Sequence, residues 1–205
     1  MPLVTWTLVA VTTVISWIAF SNRTLLERLI LWPPAVTGRR QYDRLITHGL
    51  VHADFGHLLF NMVTLYFFGT AIEPVFEQRI GKVGFALFYL VAIVVAIMPS
   101  WLRHRADPNY RSLGASGGVA AVLFSFILFA PWATIYVFVV PIPAIVYAVI
   151  YVGYSIWMDH RGGDNVNHSA HLAGALFGVV ATLIIEPRAA AIFLQRIVQP
   201  LANGS

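Results

Sequence analysis

Residues 113–130 read L-G-A-S-G-G-V-A-A-V-L-F-S-F-I-L-F-A. One serine stands among glycines and an alanine, and the run 119–130 that follows carries no charge. Such a run predicts a buried helix with Ser116 near its N-terminal end. A hydroxyl is thereby set in an apolar medium with small neighbours all round. A nucleophile needs that clearance, because a substrate backbone must come close to its oxygen. Gly, Ala and Ser are also the residues that let membrane helices pack closely, so residues 113–118 alone fit either reading. What separates the two lies elsewhere in the chain, at His57, Asn61 and His171.

Composition sets the medium. Of 205 residues, 59% are hydrophobic and 11% charged, and the mean hydropathy is +0.75. Soluble domains carry about 25% charged residues. The chain therefore reads as an all-α integral membrane protein. It is expected to form one unit over 1–205, a compact bundle of six transmembrane helices with a membrane-associated first loop. The formal net charge of +4 suits contact with a lipid bilayer bearing anionic headgroups. No basic cluster marks nucleic acid as a partner. The absence of cysteine rules out disulfides, a Cys nucleophile and thiolate metal sites.

Working outward, the uncharged run 3–20 is long enough to span a bilayer. A signal peptide would want a basic segment before it and a small-x-small cleavage site; no Lys or Arg precedes the run, and Ser16-Trp17-Ile18 has the wrong bulk. The connection 23–55 holds Arg23, Arg28, Arg39, Arg40 and Arg44 with the helix breakers Pro33, Pro34 and Gly38. Long connections are usually functional, and short interfacial helices are expected here. The second and third spans are expected at 57–72 and 83–98, closed by Glu73 and Pro99, with a turn at 79–82. The fourth is 115–130. Pro141 and Pro143 suit a helix start, so 133–140 should dip into the membrane and the fifth span run 143–158. The sixth is 168–185. An amphipathic stretch around 192–198 follows, after which the tail frays.

Ionisable groups inside spans are costly and by default mark function. Glu73 and Glu186 are expected at span ends, near water. His57 and Asn61, four apart, share one helix face, and two neutral donors converging beside a serine describe an oxyanion hole; a polar pair joining helices is the plainer alternative. Ala170, Gly174 and Gly178 form a small-residue seam, matched by Ser116, Gly117, Ala120 and Ala121. Pressed together, the seams bring His171 to Ser116, where an imidazole can take the serine proton. No acid accompanies His171 on its helix, so the expectation is a dyad. His48, His52, Asp54 and His57 crowd one stretch, and His-x-Asp-x-x-His could hold zinc. The H-E-x-x-H pair of a zinc protease is missing, and Asp54 with Gly56 suggests a turn, so no metal or other cofactor is expected. Lys82, the only lysine, falls in a turn and offers no Ser-Lys dyad.

At this point the chain resembles the rhomboid family of intramembrane serine proteases. R-L-I-T-H-G-L-V-H-A-D-F-G-H-L-L-F-N (44–61) resembles the family's first loop and second helix, G-A-S-G (114–117) its nucleophile motif, and A-H-L-A-G (170–174) its histidine motif. The resemblance implies Ser116 as nucleophile and His171 as general base. It implies that His57, Asn61 and the Ser116 backbone N–H bind the oxyanion. His48 and His52 match polar positions of the first loop, and Gly117 the small residue after the serine. Gly114 and Gly174 support the two motifs. Two positions depart. Some members carry an aromatic four residues after the serine that packs on the histidine, where this chain has Ala120. Some carry Trp before the loop arginine, where this chain has Asp43 before Arg44.

The reading that follows is a serine endopeptidase whose partners are transmembrane protein substrates, cleaved in or near their membrane segments. The fifth span, with Gly153 and its proline-broken start, is the candidate gate. A rhomboid-like pseudoprotease that escorts membrane clients is the alternative; such relatives lose the serine or the histidine, and this chain keeps both. A small transporter would want paired broken helices at the midplane. The positive-inside rule places the arginine-rich first, third and fifth loops in the cytoplasm. A six-span bacterial family member implies the opposite, a cell-membrane protein with its active site opening outward.

Overall fold

The structure, a computed structural model, describes residues 1–137, 139–164 and 166–198; the expected fraying beyond 198 lies outside them. Helix α1 is Leu3–Ser21, and the first loop folds into α2 (Arg23–Leu29), α3 (Pro33–Arg39), α4 (Arg44–Thr47) and a turn of 3-10 helix, His48–Leu50. Then come α5 (Phe55–Arg103), α6 (Ser116–Phe129), a β-hairpin of β1 (Thr134–Val137) and β2 (Val140–Pro143), α7 (Ala144–Arg161), α8 (His168–Ile185) and α9 (Arg188–Val198). Among the described residues α1, α5 and α8 are long and apolar enough to cross a membrane. The apolar α6 has 14 residues, about 21 Å at 1.5 Å per residue.

Helix α5 corrects the expected ends of the second and third spans. It does not stop at Glu73 or Pro99, and the turn at 79–82 shrinks to Gly81, with φ +70° and ψ 174°. That φ is open to glycine at little cost, and the chain reverses there. The Phe76 and Phe88 rings lie 4.6 Å apart; twelve residues of straight helix would separate them by about 18 Å. Phe76, Phe85 and Phe88 close the two arms on each other in the largest core cluster, with Leu65, Tyr89 and Ile93.

Glu73 is also not at a watery end. It is fully buried, and its carboxylate accepts the Val4 N–H at 2.9 Å and the Thr5 N–H at 2.7 Å. The first N–H groups of a helix lack intrahelical acceptors, so the acid satisfies two of them and fastens α1 to α5. Glu186 is buried too, paired with Arg79 and with Arg188 at 3.0 Å.

The connection expected to dip into the membrane over 133–140 folds with the residues after it as the hairpin, in the register Thr134↔Pro143 to Val137↔Val140. Isoleucine, valine and tyrosine favour strand, and a two-stranded ribbon has only edges, where proline is tolerated.

Helix α6 is the axis of the bundle, with eleven of its 14 residues buried. It meets α8 along the small-residue seam. A Cβ added at Gly174 would fall inside the Gly117 carbonyl, and one at Gly178 inside the carbonyl of Ala121. Only glycine lets the two backbones touch. In contrast α7 buries Ala144, Ala148 and Ser155 alone among its 18 residues.

Candidate active site

Ser116 is the first residue of α6, which the seam presses against α8. His171 lies one turn into α8, and its Nε2 is 2.8 Å from Ser116 Oγ. Gly114 sits at φ +114°, and a Cβ there would come within 2.7 Å of His57 Cε1. A glycine is thus required twice over, by its backbone and by the imidazole packed on it.

The loop before Ser116 is held by the two first-loop histidines. The Gly114 N–H donates to the His48 carbonyl at 2.9 Å, and the Ala115 N–H donates to His52 Nε2 at 3.3 Å. With Nε2 accepting, the neutral His52 ring carries its proton on Nδ1, which lies 2.9 Å from Ser16 Oγ; that hydroxyl donates on to the Leu50 carbonyl at 2.9 Å. Burial pushes the His48 imidazole down to about 4, and burial, helped by His57, pushes His52 down to about 3. Both are neutral at pH 7. Asp54 caps α5 by accepting the His57 N–H at 2.8 Å. Of the residues weighed as zinc ligands, His52 and Asp54 thus spend side-chain atoms on the protein itself, as does His48, whose Nδ1 lies 3.1 Å from the Arg44 carbonyl.

His57, Asn61, Ser116 and His171 line one cleft of about 870 Å³, with Tyr147 and Tyr151. Asn61 donates one amide hydrogen to the His57 carbonyl at 2.9 Å, which leaves the other N–H of its –NH₂. Ser116 N–H and its successors begin a helix and have no intrahelical acceptor, and Ala115 supplies no side-chain cap. The cleft that holds Ser116 is thus lined by N–H donors among apolar side chains.

Two residues at the site escaped the sequence reading. Tyr151 of α7 stacks its ring on His171, with centroids 5.8 Å apart and planes at 23°, and lines the same cleft as Ala120. A tyrosine amid an apolar helix gives no sign of which ring it faces. Asn167 accepts the Ala170 N–H at 3.0 Å and the Ser100 hydroxyl at 2.8 Å, and donates to Tyr110 Oη at 3.0 Å and Ser112 Oγ at 3.1 Å. It caps α8 one turn before His171 and ties that helix to α5 and to the Ser116 loop. An Asn three residues before the helix's first turn is complete is a legible capping signal.

Asp43, one of the two departures noted above, pairs with Arg28 at 2.7 Å. The buried Arg44 beside it donates to the Glu27 carbonyl at 2.9 Å and the Ile30 carbonyl at 2.6 Å. The first loop is thus anchored by an ion pair and by backbone acceptors of α2.

Comparison with known proteins matches the Rhomboid domain to residues 39–188. An Arabidopsis thaliana protein, "RHOMBOID-like protein 12, mitochondrial", is 32% identical over 82% of this chain and 53% of its own length. "Putative rhomboid protease YdcA" of Bacillus subtilis is 33% identical over 55% of each chain, and "Rhomboid-like protein 11, chloroplastic" of Arabidopsis thaliana 31% over 69% and 51%. The chain spans about half the length of these relatives. Their names place two of them in organelles, so the bacterial cell membrane expected above draws no support from them, whereas an integral membrane location stands.

Proposed function

Because the chain belongs to the rhomboid family, we propose that it is an intramembrane serine protease that hydrolyses peptide bonds in or near transmembrane segments of other membrane proteins. The observation that carries this reading is the 2.8 Å contact between Ser116 Oγ and His171 Nε2 inside a cleft whose walls mix polar and apolar side chains. In this mechanism Ser116 Oγ attacks the scissile carbonyl carbon while His171 Nε2 takes its proton. The carbonyl π electrons move onto oxygen, which the Ser116 N–H, His57 and Asn61 face. His171 then gives its proton to the departing amine as the C–N bond breaks. A water attacks the remaining ester by the same route and frees Ser116.

No carboxylate completes the pair. The ring of Tyr151 and the cap at Asn167 take over orientation of His171. Six spans are proposed: α1, the two arms of α5, α6, α7 and α8. The lightly packed α7 is the proposed gate. A Cβ at Gly153 would meet nothing within 4 Å, so little packing there resists movement. A substrate helix entering beside α7 must unwind, since a hydrogen-bonded helix hides its carbonyls, and small residues at the scissile bond suit the close approach to Ser116.

Two measurements test the proposal. Wild-type protein should label at Ser116 with a fluorophosphonate and cleave a model transmembrane substrate. Ser116→Ala and His171→Ala should each abolish cleavage while the protein still accumulates in membranes, and their effects should not add. Absence of labelling in folded wild-type protein would favour a client-binding pseudoprotease.

A further inference from the structure

The end of the molecule that carries Ser116 holds more positive charge than its own acids neutralise. Glu27 pairs with Arg23, Asp43 with Arg28, Asp159 with Arg103 and Asp107 with His104. Asp164 meets His168 and Asp54 caps α5. Among the described residues Arg39 and Arg111 have no carboxylate within 4.0 Å.

Both arginines lie on one indole. The Arg39 guanidinium carbon is 5.0 Å and that of Arg111 4.7 Å from the centre of the Trp32 ring. The platform is fixed to the Ser116 loop. Trp32 Nε1 donates to the Pro108 carbonyl at 3.1 Å, and Arg111 donates to the carbonyls of Pro108 at 2.7 Å and Tyr110 at 2.9 Å. Leu31 and Ser112 exchange backbone hydrogen bonds at 2.9 and 3.2 Å. Arg111 also lines the cleft that holds Ser116 and His171. The pKa of nearby Arg44 is lowered by burial first and then by Arg28, is raised in part by Asp43, and is lowered further by Arg111 and Arg39. Arg111 spends Nη1 on the two carbonyls, which leaves its Nε and Nη2 and the whole Arg39 fork to meet a planar oxyanion.

We infer that Arg39 and Arg111 form a receptor for a carboxylate on the substrate, so that the preferred substrates carry an Asp or Glu in the segment flanking the scissile bond. This rests on the protease reading above. Arg111 and Ser116 are about five residues apart, and a chain covers at most about 3.3–3.6 Å per residue. An extended substrate therefore places its acid within about five residues of the bond cut. The position of Arg111 in the cleft, where a peptide must pass, favours a substrate side chain over a lipid phosphate.

The experiment uses the full chain in vesicles of neutral lipid and a set of transmembrane peptides, each with one Glu or one Gln at successive positions around the cleavage site. The readout is the Glu-to-Gln ratio of kcat/KM within each protein. Wild type should show a ratio of about ten at one position or two adjacent ones, falling with added salt. The ratio should fall to about one in the Arg39→Gln/Arg111→Gln protein and be partly kept in Arg111→Lys. Arg39 is exposed and its side chain makes no hydrogen bond among the described residues, so Arg39→Gln alone serves if the double variant folds poorly. A ratio near one at every position in wild type overturns the inference, as does a ratio unchanged in the variants. So does a dependence on arginine that follows the anionic lipid content of the vesicles in place of peptide charge. If no peptide is cleaved, the protease reading fails separately. Binding of labelled Glu and Gln peptides to Ser116→Ala protein, by fluorescence anisotropy, then still decides for or against the receptor.

Discussion

At the scale of single residues, the pairing of Ser116 with His171 was legible because both stand at the starts of apolar runs with small residues at helical spacing. The partners that hold them were not. Tyr151 faces His171 from a helix about twenty residues upstream, and Glu73 satisfies the N–H groups of α1 across 68 and 69 positions; neither relation leaves a local pattern. If the Tyr151 ring holds the imidazole, Tyr151→Leu should lower turnover by roughly 10–100-fold, since small misplacements of a reacting group are costly. Tyr151→Phe, which keeps the ring, should stay near wild type. The melting temperature in detergent should move little in either, because α7 is lightly packed. Equal loss in Leu and Phe variants would show that the hydroxyl, not the ring, matters.

At the scale of elements, the seam between α6 and α8 follows from glycine and alanine recurring every four residues, and this part of the fold could be read directly. The ends of α5 could not. Pro74 and Pro99 both sit inside α5, so proline did not end the helix as its missing N–H suggests, and Gly81 reverses the chain in one residue. A backbone φ is not written in residue type. The seam makes a direct prediction. Gly174→Val sets branched carbon against the Gly117 carbonyl, an obstacle that cannot rotate away. Overpacking typically costs about 1–3 kcal/mol, so the melting temperature should drop, and cleavage should be lost with it as His171 is pushed from Ser116. Wild-type cleavage by this variant would mean that the helices tolerate separation there.

At the scale of the whole molecule, the buried first-loop histidines couple stability to pH. His48 and His52 titrate in the fold near 4 and 3, well below the 6.5 of an exposed imidazole. Between these values the unfolded chain binds protons that the fold does not. Stability is therefore full above about pH 6.5 and declines as pH falls towards 4. Melting temperature measured in detergent from pH 8 to 4 should show this decline. His52→Gln keeps an acceptor for the Ala115 N–H and a donor for Ser16 but cannot titrate, and should flatten the slope. An unchanged slope would place the titration elsewhere.

The reversal at Gly81 has a mechanical consequence. The two arms of α5 are joined by one residue and locked by Phe76, Phe85 and Phe88, so a tension applied along the chain has no slack at which to peel one arm from the other. Pulled from a bilayer by an attached tip, residues 55–103 should leave in a single rupture. The 49 residues of α5 would then release about 160–175 Å of contour length at once. Two separate steps of about half that length would show that the arms hold to the rest of the bundle more firmly than to each other.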